Sequence, residues 1–197
     1  MKTVAFVPIK LNSERLPMKN IKRFTNGEPL IIYILRTLKK IPVIDEIYVY
    51  CSSEEIKSYI PDGIQFLPRD VYYDLPDTKF NDVLKSFAEL VDADTYVLAH
   101  ATAPFLRKES IEMGIRKVNL EGYDSAFAAV PFQEFLWRDH KPFNYDLQDI
   151  PRTQDLEKFY RETCGLYIYR KRLIERGRRI GEKPFLLPVT EIEACDI

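Results

Sequence analysis

The chain has 197 residues, of which 46% are hydrophobic and 30% are charged, and its formal net charge is −1 at pH 7. A balance this close to neutral gives no general attraction to nucleic acid or to an anionic membrane surface, so we expect neither partner. No apolar run approaches the roughly 20 residues that a membrane-spanning helix needs, and no signal-peptide pattern opens the chain. The 3 cysteines are widely spaced, which favours free thiols in a reducing cytoplasm over a disulfide framework. We expect one cytoplasmic domain over residues 1–197.

Strand and helix signals alternate along most of the chain. The opening strand and several later ones are almost continuously apolar, which is typical of strands buried on both faces of a parallel sheet. We predict strands over residues 3–9, 46–52, 64–67, 95–101, 124–131 and 165–169.

Apolar residues at helical spacing predict the intervening helices. The first helix follows Pro29, and its buried stripe consists of Leu30, Ile31, Ile34, Leu35, Leu38 and Ile41. The second follows Asp77, a candidate N-cap, and its core face consists of Phe80, Val83, Leu84, Phe87, Leu90 and Val91. The third covers residues 108–120. A basic helix after the last strand carries Arg172, Arg176, Arg178 and Arg179.

This alternation predicts βαβ units with right-handed crossovers, and hence an α/β fold of three layers with a mostly parallel, Rossmann-like sheet. The pattern breaks near residues 132–150, a segment that is aromatic and polar without a helical period. We interpret that segment as an arm or hairpin that protrudes from the core.

The loop after the first strand carries an unusual set of polar and basic groups. Ligands bind outside the carboxyl ends of strands in open α/β sheets, and this loop leaves such an end. Positive charges and hydrogen-bond donors that converge there suit a triphosphate, although a solvated basic loop has the same composition. The chain has no GxxxxGK[ST] pattern, which excludes a Walker-type phosphate loop. The groups concerned are Lys10, Asn12, Ser13, Arg15, Lys19 and Asn20.

The order of residues in KLNSERLPMKN, 10–20, resembles the signature loop of the cytidylyltransferases that activate 2-keto-3-deoxy sugar acids, approximately ARxxSxxLPxKN. This family includes the acylneuraminate cytidylyltransferases and relatives for legionaminic, pseudaminic and 3-deoxy-manno-octulosonic acids. Lys10 stands where the family has arginine, which keeps the charge but loses the bidentate fork. The matching positions are Ser13, Leu16, Pro17, Lys19 and Asn20.

Five further stretches resemble the same family in the same order. IYVYCSSEEI, 47–56, is similar to VSTDxEEI, with Ser52 at the usual aspartate, and PRDVYYDLPDTKFNDVL, 68–84, places Arg69 at the arginine that meets the nucleotide. VLAHATAPFLR, 97–107, resembles LLQPTSPLR, with His100 at the glutamine and Arg107 one place after the arginine.

The fourth and last stretches lie in the second half of the chain. IPRTQDLEKFYRETCGLYIY, 150–169, resembles RRQDLPxxYxxNGAxYI, and Arg152, Gln154 and Gly165 match it. EIEACDI, 191–197, resembles the start of EAxDIDxxxDF. Asp196 matches its first metal-binding aspartate, and the sequence stops before the position of the second.

The resemblance implies transfer of CMP from CTP to a nine-carbon 2-keto sugar acid, with release of pyrophosphate. It implies that Lys19, Arg15 and Lys10 stabilise the charge of the triphosphate, and that Asn12, Ser13, Asn20 and Arg69 also contact the nucleotide. By the same resemblance, the residues facing the sugar acid are His100, Arg107, Arg152 and Gln154. Asp196 would bind Mg²⁺ that bridges the phosphates.

The resemblance further implies a homodimer in which each arm leans on the partner's site. Phe135, Trp137 and Phe143 would form part of that surface, because apolar residues on an excursion need cover. The alternative is an arm that folds back on its own domain.

Two other functions are weighed against this one. A non-catalytic nucleotide-binding relative is suggested by the departures at Lys10, Ser52, His100 and Leu106. A glycosyltransferase with a DxD metal motif is suggested by Asp92 and Asp94, but these precede a strand, whereas a metal motif should follow one.

Overall fold

The computed structural model of the protein describes residues 1–13 and 16–197, in which four α-helices and nine strands are defined. The helices are α1 Leu30–Lys39, α2 Phe80–Leu90, α3 Lys108–Leu120 and α4 Lys171–Glu175. The strands are β1 Thr3–Ile9, β2 Glu46–Cys51, β3 Gln65–Pro68, β4 Thr95–Ala99, β5 Ser125–Phe132, β6 Trp137–Arg138, β7 Lys141–Pro142, β8 Phe159–Arg170 and β9 Pro184–Pro188.

Seven strands form one sheet in the order β3-β2-β1-β4-β8-β5-β9. All neighbouring pairs are parallel except the two that β8 makes, with β4 and with β5. A parallel strand order needs crossover connections, which the helices supply on both faces. The mostly parallel α/β sheet predicted from the sequence is therefore confirmed.

Two apolar cores lie on opposite faces of the sheet. Alternate residues of β1 point to opposite sides, as the two-residue period of a strand requires. Ala5, Val7 and Ile9 join the core beneath α1 and α3, and Val4 and Phe6 join the core beneath α2 and α4. The predicted stripe of the first helix is buried along its whole length, and the three-layer arrangement follows.

Two predictions about helices are wrong. Asp77 is not the N-cap of α2, because the chain turns at Thr78, whose amide donates to the Leu75 carbonyl, and the helix begins after Lys79. The predicted basic helix is only five residues long and contains Arg172 alone of its four arginines. It ends at Glu175, since Gly177 adopts a left-handed φ of 67° and its amide caps the Ile174 carbonyl.

The second half of the sheet differs from the prediction at two strands. The strand predicted over residues 165–169 extends to 12 residues, because β5 continues to Phe132 and pairs with it beyond an irregularity between Phe127 and Ala129. β9 was not predicted as a strand, although the segment PFLLP is apolar; it pairs in parallel with β5 at the edge of the sheet.

The arm contains a separate hairpin. β6 and β7 pair antiparallel across a two-residue turn, Asp139 and His140, whose φ angles of 49° and 64° are those of a type I′ turn. The Asn144 side chain accepts from the Leu136 amide at 2.8 Å and donates to the Glu134 carbonyl at 2.9 Å, which ties the hairpin to its base.

The aromatic residues of the arm are only partly covered. Phe135, Trp137 and Phe143 are 38%, 58% and 47% exposed. Phe135 nevertheless lies 4.7 Å from the Tyr145 ring, and Phe143 lies 6.0 Å from Phe159 on β8. The arm thus packs partly on its own chain and still offers an apolar surface, and the homodimer stays a prediction.

An aromatic cluster centred on Phe87 anchors α2 to the sheet. Its ring stacks on Phe6 with centroids 4.0 Å apart and meets the edges of Tyr48, Tyr50 and Tyr96. Leu90, three residues later and predicted to be buried, is 60% exposed because it lies at the end of the helix and outside the contact.

We expect Phe87→Ala to lower the free energy of unfolding by about 3–5 kcal/mol, because it removes a large buried ring and leaves a cavity. Leu90→Ala in the same helix is the matched control, with an expected change of at most about 0.5 kcal/mol. Urea denaturation of both variants measures the difference. Equal destabilisation by the two substitutions would contradict this account of the core.

Candidate active site

The strand order places one crevice at the carboxyl ends of β1 and β4. After β1 the chain proceeds to β2 and β3 on one side, and it then returns to place β4 on the other side of β1. The connections therefore leave β1 and β4 in opposite directions, which opens a gap between the loops that follow them. Such a point is where open α/β sheets bind ligands.

The loop after β1 folds back on itself at this crevice. Asn20 is buried, and its side-chain amide donates to the Lys10 carbonyl at 3.2 Å. The Met18 amide donates to the Leu11 carbonyl at 2.9 Å, and Met18 adopts a left-handed φ of 61° before the single helical turn Lys19–Ile21. Asn20 therefore holds the two ends of the loop together.

The loop presents its polar groups unequally. Asn12 is exposed, and Lys10, Ser13 and Lys19 are half-buried. The Lys19 ammonium donates to the carbonyl oxygen of Ile197 at 3.0 Å, so the loop meets the last residues of the chain. Arg15 lies outside the described residues, and its place in the site stays a prediction.

Arg69 lies beneath the loop. Its side chain is 3% exposed and pairs with Asp74. Nη2 also donates to the Ile9 carbonyl at 2.7 Å, and Asp74 in turn accepts from the Ser52 hydroxyl at 2.5 Å. This buried network ties the end of β3 to the end of β1. Arg69 therefore supports the loop from below, and direct contact with a nucleotide stays a prediction.

His100 follows β4 at the other side of the crevice. Its backbone amide donates to the Gly165 carbonyl on β8 at 3.0 Å. A Cβ atom at Gly165 would come within 2.7 Å of Ala103, so glycine is required for this close approach. The Nε2 atom of His100 is shielded from solvent and has no hydrogen-bond partner among the described residues.

The surroundings of His100 keep it neutral. Burial, as the largest cause, and the positive charges of Arg179 and Lys19 together lower its pKa from 6.5 to about 4, against the opposing effect of the Asp196 carboxylate. The last residues of the chain lie near this histidine, because the Ile197 amide donates to the Thr102 carbonyl at 3.0 Å and the Ile197 carbonyl accepts from Lys19. A neutral histidine offers one donor and one acceptor.

Asp196 is exposed, and a buried carboxylate anchors the turn that carries it. Glu193 is 2% exposed and accepts from the Ser110 hydroxyl at 2.5 Å, from the Arg107 guanidinium at 2.9 Å and from the Thr190 amide at 3.2 Å. Burial alone would raise the pKa of Glu193, but these hydrogen bonds outweigh it and hold the pKa below its ordinary value.

The residues described here contain no cluster of three or more His, Cys, Asp or Glu side chains that could hold a metal. Asp196 is an exposed carboxylate whose charge acts on His100, and it directly precedes Ile197, whose carbonyl accepts from Lys19. Magnesium commonly takes one or two carboxylates and completes its shell with phosphate oxygens and water. A single aspartate therefore fits an ion that arrives with a nucleotide.

The structure does not bring the other predicted sugar-binding residues to His100. Arg107 is engaged with Glu193 at the start of α3. Arg152 is exposed and forms two hydrogen bonds with Asp155, at 2.7 and 3.1 Å, and Gln154 is also exposed in the same short turn. Their contact with a substrate stays a prediction.

Three residues of the site were missed as site residues. Asp74 and Glu193 hold Arg69 and Arg107, and their sequence positions carry no signal beyond a negative charge. Arg179 was assigned to a helix because it belongs to a basic run, whereas it lies in the loop between α4 and β9, with its guanidinium 3.8 Å from the Tyr167 ring centroid.

The DxD candidate lies at the opposite edge of the sheet. Asp92 pairs with Lys171 at 2.5 Å, and Asp94 accepts from the Lys2 amide at 2.7 Å. Both precede β4 and face away from the crevice. No helix within residues 1–13 and 16–197 has the length and apolar character to cross a membrane.

Comparison with known proteins adds sequence relatives. The chain is 26% identical over 189 residues to N-acylneuraminate cytidylyltransferase A of Danio rerio, a match that covers 91% of this chain and 44% of that protein. It is 25% identical over 186 residues to pseudaminic acid cytidylyltransferase of Campylobacter jejuni, covering 85% of this chain and 78% of that protein. The chain thus spans less than half the length of the first relative.

Solved structures share the fold. A CMP:2-keto-3-deoxy-manno-octonic acid synthetase complexed with CTP superposes with a TM-score of 0.68 at 17% identity, over 98% of this chain and 81% of that one. The bifunctional IspDF of Campylobacter jejuni gives a TM-score of 0.70 at 15% identity, over 100% of this chain and 52% of that one. At these identities the likeness concerns the fold alone.

The cytidylyltransferase family model matches residues 4–189, from the first strand to the residue after β9. That range includes the first loop, Arg69 and His100. The chain belongs to the cytidylyltransferase family.

Proposed function

We propose that this protein is an enzyme that transfers CMP from CTP to a 2-keto-3-deoxy sugar acid of the sialic, legionaminic or pseudaminic type, and releases pyrophosphate. The observation that carries the proposal is the convergence of three segments at the carboxyl ends of β1 and β4: Lys19 of the first loop donates to the Ile197 carbonyl, and the Ile197 amide donates to the Thr102 carbonyl, two residues after His100. Family membership and the relatives that act on N-acylneuraminate and pseudaminic acid support it.

In this proposal, the first loop binds the triphosphate. Lys19 and Lys10, with Arg15, stabilise the charge that develops as pyrophosphate leaves, and Asn12, Ser13 and Asn20 donate hydrogen bonds to the nucleotide. The hydroxyl on the anomeric carbon of the acid attacks the α-phosphorus. Catalysis then depends chiefly on positioning and on charge stabilisation, since no side chain suited to act as a strong base stands out among the described residues of the crevice.

His100 would orient the acid without carrying charge. Its unpaired Nε2 faces a shielded space, and a buried polar atom without a partner favours a ligand that supplies one. A histidine with a pKa of about 4 is a poor base at neutral pH, but it provides the donor and acceptor that a glutamine amide would provide.

Asp196 would hold Mg²⁺ in the loaded enzyme. A magnesium ion at the phosphates neutralises negative charge and orients the triphosphate. The chain's own contribution is to fix Asp196 through the buried Glu193 and to keep Lys19 close to it. A homodimer, with the arm's exposed aromatic residues at its interface, is also part of the proposal.

Pyrophosphate release tests the reaction. The assay uses this chain with CTP and Mg²⁺ against sialic, legionaminic, pseudaminic and 3-deoxy-manno-octulosonic acids, with UTP and ATP as controls. We expect release with CTP and one class of acid. Binding of CTP without release in the presence of any acid would instead favour a non-catalytic relative.

Lys19→Ala should lower kcat/KM for CTP by about 10- to 100-fold, because it removes a charge-assisted contact with the phosphates. Lys22→Ala, an exposed lysine one turn later, is the matched control and should leave kcat/KM unchanged. If both variants behaved like the unsubstituted chain, the phosphate role of the loop would be refuted.

Asp196→Ala should abolish the Mg²⁺-dependent part of turnover, because it removes the carboxylate that would bind the ion. Glu191→Ala, an exposed acid in the same segment that pairs with Arg161, is the control. The measurement is the rate of pyrophosphate release across a Mg²⁺ titration. Near-normal activity of Asp196→Ala would remove this residue from the metal site.

His100 should make the fold less stable in mild acid. Its pKa is lowered on folding from 6.5 to about 4, so as the pH falls below 6.5 the unfolded chain binds the proton first, and stability declines until about pH 4. Between pH 7 and 5 the loss due to this group is about 2 kcal/mol.

Urea denaturation at both pH values, on His100→Gln and on the unsubstituted chain, measures this contribution. Gln does not titrate in this range, so the variant should lose about 2 kcal/mol less. His140→Asn, at the exposed hairpin turn, removes the other histidine and should change nothing. Identical pH dependence in all three proteins would show that His100 titrates normally.

A further inference from the structure

A cationic cleft lies beside His100 and is not used by the loop after β1. It has a volume of about 570 Å³ and is formed by the start of α2 and the loop that joins α4 to β9. Its lining includes Lys79, Phe80 and Asn81 on one side and residues 177–180 on the other. This volume is within the range of small-molecule sites.

The cleft borders the proposed sugar site. The Phe80 ring lies 5.5 Å from the His100 ring. The charge of Arg179 also acts on His100, since it contributes, after burial, to the lowered pKa of that residue. A ligand that contacts His100 from this side would therefore meet Phe80 and Arg179 next.

Arg179 is positioned by aromatic faces. Its guanidinium carbon lies 3.8 Å from the centroid of Tyr167 and 5.4 Å from that of Phe80. None of the hydrogen bonds or ion pairs among the described residues involves Arg179. Stacking on a ring uses the face of a guanidinium and leaves its edge, with five N–H donors, available.

The neighbouring charges leave Arg179 free to bind an anion. Arg178, the next residue, is exposed and pairs with Glu182 at 2.5 Å. On the side of the cleft formed by Tyr167, the nearby acid is Glu162, which accepts a hydrogen bond from the Tyr167 hydroxyl at 2.5 Å. Asp82 lies in the first turn of α2, whereas Lys79 directly precedes that helix and adds a second positive charge to the cleft.

The loop that carries Arg179 is fixed to α2. The Asn81 side chain donates to the Gly177 carbonyl at 2.7 Å, and Gly177 adopts the left-handed conformation that ends α4. The α2 N-terminus has no side-chain cap, so its partial positive charge adds to that of Lys79 and Arg179.

We propose that Arg179 binds the carboxylate of the sugar acid and so determines the specificity of the enzyme for acidic sugars. The inference rests on the proposed function. It replaces Arg152 in this role, since the guanidinium of Arg152 is already engaged by Asp155. A stacked guanidinium that presents two parallel donors matches a carboxylate in geometry and in charge.

Arg179→Gln should raise the KM for the best acid by about 10- to 150-fold, because it removes a charge-assisted pair of hydrogen bonds. The KM for CTP should change less than about twofold, since the phosphates lie at the other loop. Arg179→Lys, which keeps the charge, should recover part of the loss. Arg176→Gln, at an exposed arginine outside the cleft lining, is the matched control and should not alter the KM for the acid. Arg152→Gln tests the competing assignment and should raise that KM less than Arg179→Gln does.

The preference of the enzyme for the acid over its methyl ester is a measurement that would not change if Arg179 had a purely structural role. The unsubstituted enzyme should prefer the acid over the ester, and Arg179→Gln should lose about tenfold or more of that preference in kcat/KM. Thermal denaturation of each variant verifies folding. An unchanged preference in a folded Arg179→Gln protein, or a loss of preference in Arg152→Gln instead, would overturn the inference.

Calorimetric titration separates this inference from the proposed function. A chain that neither releases pyrophosphate nor binds CTP refutes the proposed function itself. If the chain binds CTP and Arg179→Gln does not reduce the affinity of the CTP-loaded form for the acid, only the assignment of Arg179 is refuted. Reduced binding of the acid with unchanged binding of CTP supports it.

Discussion

The parallel pairing of β1 with β4 is the constraint on which the site depends. The register joins Thr3 to Thr95 and Phe6 to Leu98, so the two strands end close together at the same edge of the sheet. The loop that follows β1 and the histidine that follows β4 are 80 to 90 positions apart in sequence, yet backbone hydrogen bonds fix their separation in space. Every charged group assigned to the nucleotide or the sugar is placed relative to this pair of strand ends.

Beneath this edge, two buried acidic residues act as anchors. Asp74 holds Arg69 under the first loop, and Glu193 holds Arg107 and the turn that leads to Asp196. Both carboxylates are surrounded by donors, which offsets the free-energy cost of burying their charge. Removing Arg69 or Arg107 leaves a buried carboxylate without its charged partner, which costs more free energy than the pair contributes. These groups therefore fix the positions of the loops, and they add little to the overall stability of the fold.

The sequence contained enough information for the layers and the crevice but not for every side chain. Continuous apolar runs indicate buried strands, and apolar residues at helical spacing indicate the buried face of a helix. The core residues of α1 have that helical spacing. The polar loop of residues 10–20 could be placed because strand ends share an edge. The length of β8 and the existence of β9 depend on pairing with β5, a long-range contact that local pattern does not encode.

Several arginines were misplaced by local pattern, and the reason is physical. A surface arginine, an arginine buried against Asp74 and an arginine stacked on Tyr167 have the same letter in the sequence, and only tertiary contacts separate them. Arg69 and Arg152 matched a family pattern, but both are engaged by carboxylates five and three residues further along. Arg179 matched no family pattern, and it forms no ion pair or hydrogen bond among the described residues.

Burial is the main reason why His100 is neutral, and the charges on either side of it act in the same direction. Lys19 lies on the side of the first loop and Arg179 on the side of the cleft, and a protonated imidazole between them would be a third cation in a shielded space. In the proposed function, the neutral imidazole would offer an uncharged donor and acceptor between the phosphates at the first loop and the carboxylate at Arg179. A substrate with a hydroxyl near its carboxylate would meet the imidazole at that hydroxyl. If Arg179 binds that carboxylate as proposed, the site would select such an acid over a neutral sugar of similar size, because the neutral sugar would leave Arg179 desolvated and unpaired.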